Sequence, residues 1–148
     1  LTKKRMDITE LENGVKVIND AYNASLESMK ASLGVLSEFK ENRKIAILGD
    51  MFELGKYSKE LHKKVGEEVI KNKIDILICS GTNSKYIIEK ARKKMKDENV
   101  YYLENKEEIL EVLKEVIKPG DVVLLKASNG MKFYELAERM ISLWKKKD

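Results

Sequence analysis

Four short polar segments of this sequence carry residue types that bind phosphate or carboxylate groups. Each segment follows an apolar run and leads into a helical pattern; the segments are residues 20–25, 49–55, 80–83 and 126–130. Free N–H groups at a helix N-terminus favour anions. Open α/β sheets bind their ligands beyond the carboxyl ends of the strands. We therefore expect these segments to form a site for a phosphorylated or carboxylated ligand.

The standard nucleotide signatures are absent from these segments. No G-x-G-x-x-G follows the opening strand, and the nearest approach to a phosphate loop is Gly49 to Lys56. It has five residues between its glycines where four are required, and Tyr57 stands where Ser or Thr would bind magnesium. We expect that the chain cannot by itself hold a triphosphate and a metal for phosphoryl transfer.

Other catalytic groupings are weak, and we predict no catalytic residue and no metal ligand. One histidine and one cysteine give no metal-ligand cluster. Cys79 lies in an apolar run, which favours a buried small hydrophobe over a reactive thiol, and His62 is expected to be exposed or at a boundary. Asp50 and Glu53 either pair as acid and base or cap a turn or the next helix; both interpretations stay open.

The segments between these loops predict an α/β fold. Five short apolar runs read as strands, and most of them are apolar enough to be covered on both faces; they are Val15–Ile18, Ile45–Leu48, Ile74–Cys79, Val100–Leu103 and Val122–Leu125. Apolar residues at helical spacing lie between the runs and after the last one. Alternation of strand and helix predicts a mostly parallel sheet with helices on both faces.

Local signals refine this prediction at the ends of the elements. Ser25, Ser58 and Asn105 stand where helix N-caps belong, and Asn105 with Glu108 has the capping-box spacing. Residues 6–15 show alternating polarity and then a Glu-Asn-Gly turn signal, so we expect a hairpin that adds one antiparallel strand at or near a sheet edge. The prediction is about six strands in one domain, residues 1–148.

Length and charge exclude several classes of protein. The 148 residues carry a net charge of +4 with both signs interspersed, which indicates a solvated surface rather than a nucleic-acid interface. No apolar run approaches the roughly 18 to 20 residues of a membrane span, so no membrane insertion is expected. No signal peptide is apparent, and a single cysteine fits the cytoplasm. The start without Met suggests a piece of a longer protein.

Three of the polar segments resemble motifs of one enzyme family. Residues 20–29, Asp-Ala-Tyr-Asn-Ala-Ser-Leu-Glu-Ser-Met, resemble the D-x-Y-N-A-N-P-x-S-M segment of MurF-type Mur ligases. Residues 48–55, Leu-Gly-Asp-Met-Phe-Glu-Leu-Gly, followed by Ser58 and His62, resemble their L-G-D-M-x-E-L-G motif and downstream histidine. Residues 125–131 are similar to their K-G-S-R-G-M loop. The motifs occur in family order and span nearly the whole chain.

The resemblance implies the third, carboxy-terminal domain of such a ligase, with a Rossmann-like three-layer fold. The amino-terminal UDP-binding domain and the central ATPase domain would then be absent from this chain. The family adds D-Ala-D-Ala to UDP-MurNAc-tripeptide through an acyl phosphate in peptidoglycan biosynthesis, and uses ATP and magnesium held mainly by the central domain. An isolated domain is expected to be inactive. The alternative is a stand-alone Rossmann-like ligand-binding or regulatory module.

The matched positions imply residue roles. Arg5, Asp20, Tyr22 and Asn23 match residues that border the nucleotide, and Lys126 and Ser128 match residues near the amino-acid substrate. A carboxylate accepts from ribose hydroxyls, and a cation suits the D-Ala-D-Ala carboxylate.

Each of these residues also has a structural alternative. The alternatives are a surface position on an edge strand for Arg5, a role in the turn for Asp20 and Asn23, packing against the first helix for Tyr22, and capping of the last helix for Ser128. The family pattern is also broken at Leu26, Ala127 and Asn129, which replace proline, glycine and arginine.

Overall fold

The computed structural model describes residues 6–148, so Arg5 lies outside the described residues. Six strands form one sheet, in the order β1-β2-β6-β3-β4-β5. They are β1 (Asp7–Glu10), β2 (Lys16–Asn19), β3 (Lys44–Leu48), β4 (Ile76–Ser80), β5 (Val100–Leu103) and β6 (Val122–Lys126). The predicted runs lie within two residues of these bounds. β1 pairs antiparallel with β2 and the other neighbours are parallel, which confirms the predicted sheet.

Five helices cover the two faces of this sheet, as the apolar spacing predicts. They are α1 (Leu26–Ser37), α2 (Ser58–Lys71), α3 (Lys85–Ala91), α4 (Lys106–Val116) and α5 (Tyr134–Trp144). One buried cluster joins α1, α2 and α3 to the sheet, and a second joins α4 and α5 to it. Neither face of the central strands is left to solvent, which explains why β4 and β6 are buried along their whole length. Within residues 6–148, no helix combines the length and apolarity needed to cross a membrane.

The edge hairpin forms as its turn signal predicts. The Leu11 N–H donates to the Val15 carbonyl at 2.8 Å, and Gly14 adopts φ +84°, a left-handed conformation that glycine takes without a Cβ penalty. Ile8 on β1 is 53% exposed, because the strand at the edge has its outer side open. The hairpin therefore adds one antiparallel strand beside β2, in which Asp7 pairs with Asn19 and Glu10 with Lys16.

Two of the three predicted helix caps are confirmed. Ser25 and Ser28 form a capping box at the start of α1, with Oγ–N distances of 3.1 and 2.8 Å. Asn105 accepts from the Glu108 N–H at 2.9 Å, while Glu108 reaches the Glu104 N–H, one residue earlier than a capping box requires. The cap predicted at Ser58 is wrong: a 3₁₀ turn leads directly into α2, so Ser58 already has helical backbone angles.

Candidate functional site

The polar segments gather at one edge of the sheet, where the parallel strands β2, β6, β3 and β4 end. The loops after these strands are residues 20–25, 127–131, 49–55 and 81–84. Neighbouring parallel strands bring their following loops together, so loops distant in the sequence touch. The Asp20 N–H donates to the Leu125 carbonyl at 3.0 Å, and the Ser128 N–H donates to the Asp50 carbonyl at 2.9 Å. Among residues 6–148, the predicted site residues therefore lie together at this carboxyl edge.

Asp20 and Lys126 form a nearly buried ion pair at this edge. They follow or end adjacent strands, and the Lys126 Nζ lies 2.8 Å from Asp20 Oδ2. Only 3% of the Lys126 side chain and 14% of the Asp20 side chain are exposed. The same ammonium donates to the Asn23 carbonyl at 3.0 Å, and the Ser32 hydroxyl of α1 donates to Asp20 Oδ2. One loop is thus held by a cation from β6 and a hydroxyl from α1.

Tyr22 and Asn23 form the outer part of this loop. The Tyr22 ring stacks on Tyr134 at the start of α5, with centroids 6.2 Å apart and planes 6° from parallel. Its hydroxyl accepts from the Asn19 side-chain amide at 3.1 Å. The Asn23 side chain is exposed, and its Oδ1 accepts from the Ala24 N–H at 2.8 Å. Asn23 therefore serves the turn, as its structural alternative proposes. The hydrogen bond to Ala24 uses only the side-chain oxygen of Asn23 and does not involve its amide nitrogen.

The loop of residues 49–55 is held by its own backbone donors. The Gly49 N–H donates to the Lys126 carbonyl at 3.0 Å. The Met51 N–H donates to His62 Nε2 at 3.0 Å, and the Phe52 N–H donates to Ser128 Oγ at 2.8 Å. These three N–H groups donate to partners inside the protein, so they are not available to bind a phosphate. This agrees with the rejection of the segment as a phosphate loop.

Asp50 uses its carboxylate to join two loops of the edge. Its Oδ1 accepts from the Asn83 N–H at 3.1 Å, the Ser84 N–H at 2.8 Å and the Ser84 hydroxyl at 2.8 Å. The residue is 5% exposed, whereas Glu53 is exposed with φ +63°. Asp50 therefore caps the turn that precedes α3, which is the capping interpretation of this motif, although the helix concerned is not the next one along the chain.

His62 is fully buried, so its predicted exposed or boundary position is wrong. Its Nε2 accepts from the Met51 N–H, and its Nδ1 lies 2.7 Å from the Ser58 carbonyl oxygen. An acceptor Nε2 fixes the tautomer with the proton on Nδ1, which donates to that carbonyl. The imidazole thus ties the 49–55 loop to α2. The helical spacing put His62 one position beyond Leu61 and gave no sign of its burial. The 49–55 loop folds over His62 and covers it.

The alternative role for Ser128 is also wrong. The last helix begins at Tyr134 and Phe133 occupies its N-cap position, so Ser128 does not cap it. Ser128 precedes a 3₁₀ turn at Asn129–Met131, and no side-chain cap bond is found there. Its oxygen instead accepts from the Phe52 N–H. Ser128 is 7% exposed, and it joins the 127–131 loop to the 49–55 loop.

Two ionisable groups near Asp50 have raised pKa values. Burial raises the pKa of the Cys79 thiol, with the charge of Asp50 as the second cause, so Cys79 stays protonated and inert. This matches its predicted role as a buried apolar residue. Burial also raises the pKa of the Tyr102 phenol, again with Asp50 contributing, and the hydroxyl donates to the Gly81 carbonyl at 2.6 Å.

The predicted site residues thus fall into two adjacent groups. Asp20, Asn23 and Lys126 share one cluster, Tyr22 borders it, and Ser128 stands on the neighbouring loop. Sequence reasoning missed Ser32, which bonds to Asp20. A signal existed, since this serine lies on the stripe of α1 that is otherwise formed by buried apolar residues, next to Leu33.

Comparisons with known proteins agree on one family. The family model described as "Mur ligase, glutamate ligase domain" matches residues 4–129. A relative from Bacillus subtilis is 35% identical over 142 residues, which cover 95% of this chain and 31% of that protein. It is named UDP-N-acetylmuramoyl-tripeptide--D-alanyl-D-alanine ligase. A relative from Rickettsia prowazekii with the same name is 30% identical over 93% of this chain and 30% of its own length.

Solved structures give the same result for the fold. MurF ligase from Thermotoga maritima, crystallised in complex with ADP, matches 93% of this chain with a TM-score of 0.77 and 30% identity. MurF from Acinetobacter baumannii matches 93% of the chain with a TM-score of 0.81 at 22% identity, which supports the fold alone. The matched region is 30% of each of these chains. The chain therefore spans about a third of the length of the relatives that it matches.

Proposed function

The chain belongs to the Mur ligase family, and from this we propose that it is the carboxy-terminal domain of an ATP-dependent ligase that joins D-Ala-D-Ala to UDP-MurNAc-tripeptide in peptidoglycan biosynthesis. The observation that carries the proposal is the similarity, along 95% of this chain, to the Bacillus subtilis ligase of that name. The domains that bind the UDP group and the ATP phosphates are proposed to lie outside these residues. The isolated chain is then expected to be inactive.

In such a ligase, transfer of the γ-phosphoryl group of ATP to the tripeptide carboxylate would release ADP and give an acyl phosphate. The amine of D-Ala-D-Ala would then attack the acyl carbon and release phosphate. This chain would contribute contacts that orient the reactants and balance charge, which are the main protein contributions to such a transfer. The carboxyl edge of the sheet offers suitable groups: a carboxylate, a buried ammonium, a hydroxyl and an aromatic ring, supplied by Asp20, Lys126, Ser128 and Tyr22.

On the nucleotide side we propose Arg5, Asp20, Tyr22 and Asn23. Asp20 fits a ribose contact, because both of its hydrogen bonds fall on Oδ2 and no residue in the described range 6–148 donates to Oδ1. The half-buried Tyr22 ring and the exposed Asn23 side chain lie next to it in the same loop. The role of Arg5 rests on the motif alone.

The triphosphate and magnesium are proposed to be held mainly by the central domain. The N–H groups of Gly49, Met51 and Phe52 are bonded within this chain, so these three donors are not available to phosphate oxygens. Among residues 6–148, the structure has no group of three His, Cys, Asp or Glu side chains suited to a metal ion. We therefore propose that the contacts of this chain lie at the ribose end of the nucleotide.

On the substrate side we propose Lys126 and Ser128. An ammonium has three donors and two of those of Lys126 are used, which leaves one for the D-Ala-D-Ala carboxylate. The Ser128 oxygen accepts from the Phe52 N–H, so its own proton can still be donated. Ala127 and Asn129 belong to the same loop, at positions where the family motif has glycine and arginine.

The reaction would take place in the cytoplasm, and the partners would be UDP-MurNAc-tripeptide, D-Ala-D-Ala and the central ATPase domain of the same ligase. A single cysteine whose thiol is fully buried is consistent with a reducing compartment. Neither nucleic acid nor membrane insertion has a part in the proposed reaction.

A domain exchange tests the proposal. The carboxy-terminal third of the Bacillus subtilis ligase is replaced by this chain, and the hybrid ligase is assayed for ADP release and amide product with ATP, the UDP-linked tripeptide and D-Ala-D-Ala. We expect ADP release that depends on both substrates. The control is the same ligase truncated before the exchanged domain, which should be inactive.

A second measurement uses the 148-residue chain alone and tests it for ATP hydrolysis and nucleotide binding. We expect no ATP hydrolysis and at most weak nucleotide binding. Tight ATP binding to the chain in calorimetry, together with an inactive hybrid ligase, would instead support a stand-alone Rossmann-like ligand-binding or regulatory module.

A further inference from the structure

We propose that Ser32 is a positioning residue for Asp20. Together with Lys126 it holds one oxygen of the Asp20 carboxylate, so that the other oxygen is presented to the ligand. The inference rests on the proposed nucleotide role of Asp20 and adds a residue outside the matched motifs. Ser32 lies in α1, three residues beyond the D-x-Y-N-A-N-P-x-S-M segment.

The contact comes from rigid elements on two sides. Ser32 is 1% exposed, and α1 is fixed by its capping box and by the buried residues Met29, Leu33 and Leu36. Lys126 ends β6, which lies between β2 and β3. A helix and a central strand therefore supply the two donors, and elements of this kind hold a functional group more accurately than a loop can.

Both donors meet the same carboxylate oxygen, Asp20 Oδ2. The terminal torsion of an aspartate is broad and roughly two-fold, so a carboxylate without fixed donors has no strongly preferred orientation. Two donors on Oδ2 remove that freedom and make the two oxygens inequivalent. Oδ1, which takes no hydrogen bond from any described residue, is then the oxygen available to a hydroxyl of a ligand.

Ser37 in the same helix shows what a helical serine does without such a role. Its hydroxyl donates to the Gly34 carbonyl at 2.6 Å, within its own helix. This back-bonding is the common arrangement for serine in a helix. Ser32 instead donates to Asp20, in the loop between β2 and α1. The pair Ser32 and Ser37 thus gives a test residue and a matched control in one element.

The test uses the hybrid ligase with Ser32→Ala and Ser37→Ala. For Ser32→Ala we expect the KM for ATP to rise several-fold, up to about tenfold, because one bond to a charged group is lost. The kcat and the KM for D-Ala-D-Ala should change less than about twofold, and Ser32→Thr, which retains a hydroxyl, should recover part of the loss. Ser37→Ala should leave all three constants unchanged.

The outcomes separate this inference from the proposed function. A raised KM for ATP in Asp20→Asn without a change in Ser32→Ala overturns the positioning role and keeps the nucleotide role of Asp20. No change in either variant overturns the nucleotide role itself. Equal losses in kcat and in both KM values for Ser32→Ala indicate a purely structural serine and also overturn the inference.

A second measurement needs no ligase activity. Amide hydrogen exchange of the 148-residue chain reports the order of the 20–25 loop, where the Ala21 and Ala24 N–H groups are hydrogen-bonded to neighbouring side chains. We expect faster exchange at these two amides in Ser32→Ala and unchanged exchange in Ser37→Ala. Equal exchange in both variants and the parent chain overturns the inference, and unfolding curves of each variant verify that the fold is intact.

Discussion

The two acidic loops at the carboxyl edge of the sheet use their aspartates in different ways. Asp50 receives three hydrogen bonds on Oδ1 from a single neighbouring turn and is 5% exposed. Asp20 receives two donors from separate elements, both on Oδ2, and 14% of its side chain is exposed. One carboxylate closes a structural joint between loops. The other, Asp20, is held through Oδ2, and its Oδ1 accepts no hydrogen bond from residues 6–148.

This difference shows how a polar motif divides into structure and function. In the 49–55 loop, the N–H groups of Gly49, Met51 and Phe52 and the Asp50 carboxylate have partners within the protein, as does the buried imidazole of His62. The 20–25 loop has four polar side chains, those of Asp20, Tyr22, Asn23 and Ser25, and no residue in the range 6–148 donates a hydrogen bond to Asp20 Oδ1. The use of each hydrogen-bonding group inside the chain, rather than the number of polar residues, separates a ligand contact from a joint.

The largest effect is expected from Asp50→Ala. The variant leaves three donors near Asn83 and Ser84 without their acceptor, and the buried site gives them little water. We expect the free energy of unfolding to fall by about 3 to 5 kcal/mol. Urea unfolding followed by circular dichroism measures the change.

Two variants of the same loop check the reason for that loss. Asp50→Asn keeps an oxygen acceptor and should recover much of the stability, while Glu53→Ala, at an exposed position, should stay within about 0.5 kcal/mol of the parent chain. A loss in Asp50→Ala no larger than that of Glu53→Ala would mean that the 49–55 loop is not a structural joint and that the contrast with Asp20 is false.

The fold could be predicted because its signals are local and agree with one another. The runs that form β3, β4 and β6 are apolar on both faces, and the Glu12-Asn13-Gly14 signal does form a turn with Gly14 at positive φ. Ser25 caps α1 as its spacing predicts. Such features depend on residues a few positions apart, and the pattern of one strand or helix is enough to identify them.

The errors at His62 and Ser32 concern contacts between different elements, whereas the error at Ser58 is local. His62 looked exposed from its helical position, but the Met51 backbone covers it. Ser58 looked like a cap because a 3₁₀ turn before α2 has no clear sequence signal. The bond between Ser32 and Asp20 depends on how α1 packs against β6 and β3 of the sheet. The resemblance to ligase motifs indicated which loops matter, but it did not distinguish the joint at Asp50 from the open carboxylate at Asp20.

A smaller effect is expected from breaking the ion pair of the 20–25 loop. In Asp20→Ala, the Lys126 ammonium keeps only the Asn23 carbonyl as a partner, and it stays buried because only 3% of the Lys126 side chain is exposed. Removing one partner of a fully buried pair costs about 3 to 5 kcal/mol, and the partial exposure of Asp20 reduces this to about 2 to 3 kcal/mol. Urea unfolding of the 148-residue chain measures the loss.

The double variant Asp20→Ala/Lys126→Met separates the cost of a stranded charge from the value of the pair. Because a buried ion pair replaced by apolar groups is often nearly neutral, the double variant should be more stable than Asp20→Ala alone. If the two single losses simply add, the residues are not energetically coupled, and the cluster that distinguishes this loop from the Asp50 loop does not exist in solution.

The smallest effect, from Tyr102→Phe, tests how far the influence of Asp50 extends along the edge. The phenol donates to the Gly81 carbonyl, and because Tyr102 is 42% exposed we expect the variant to lose only about 0.5 kcal/mol at pH 7. Burial, with the charge of Asp50, raises the pKa of Tyr102 above its ordinary value of about 10. The unfolded chain therefore releases this proton first as the pH rises, and the stabilising contribution, complete below about pH 10, is lost as the pH passes through the raised pKa.

Unfolding curves between about pH 8 and 11 should show that the stability advantage of the parent chain over Tyr102→Phe shrinks only above the ordinary tyrosine pKa. Tyr57→Phe, at a 62% exposed ring, is the matched control. A constant advantage across that range would mean that the Tyr102 phenol titrates equally in both states, and that the buried charge of Asp50 acts only on the turn that it caps.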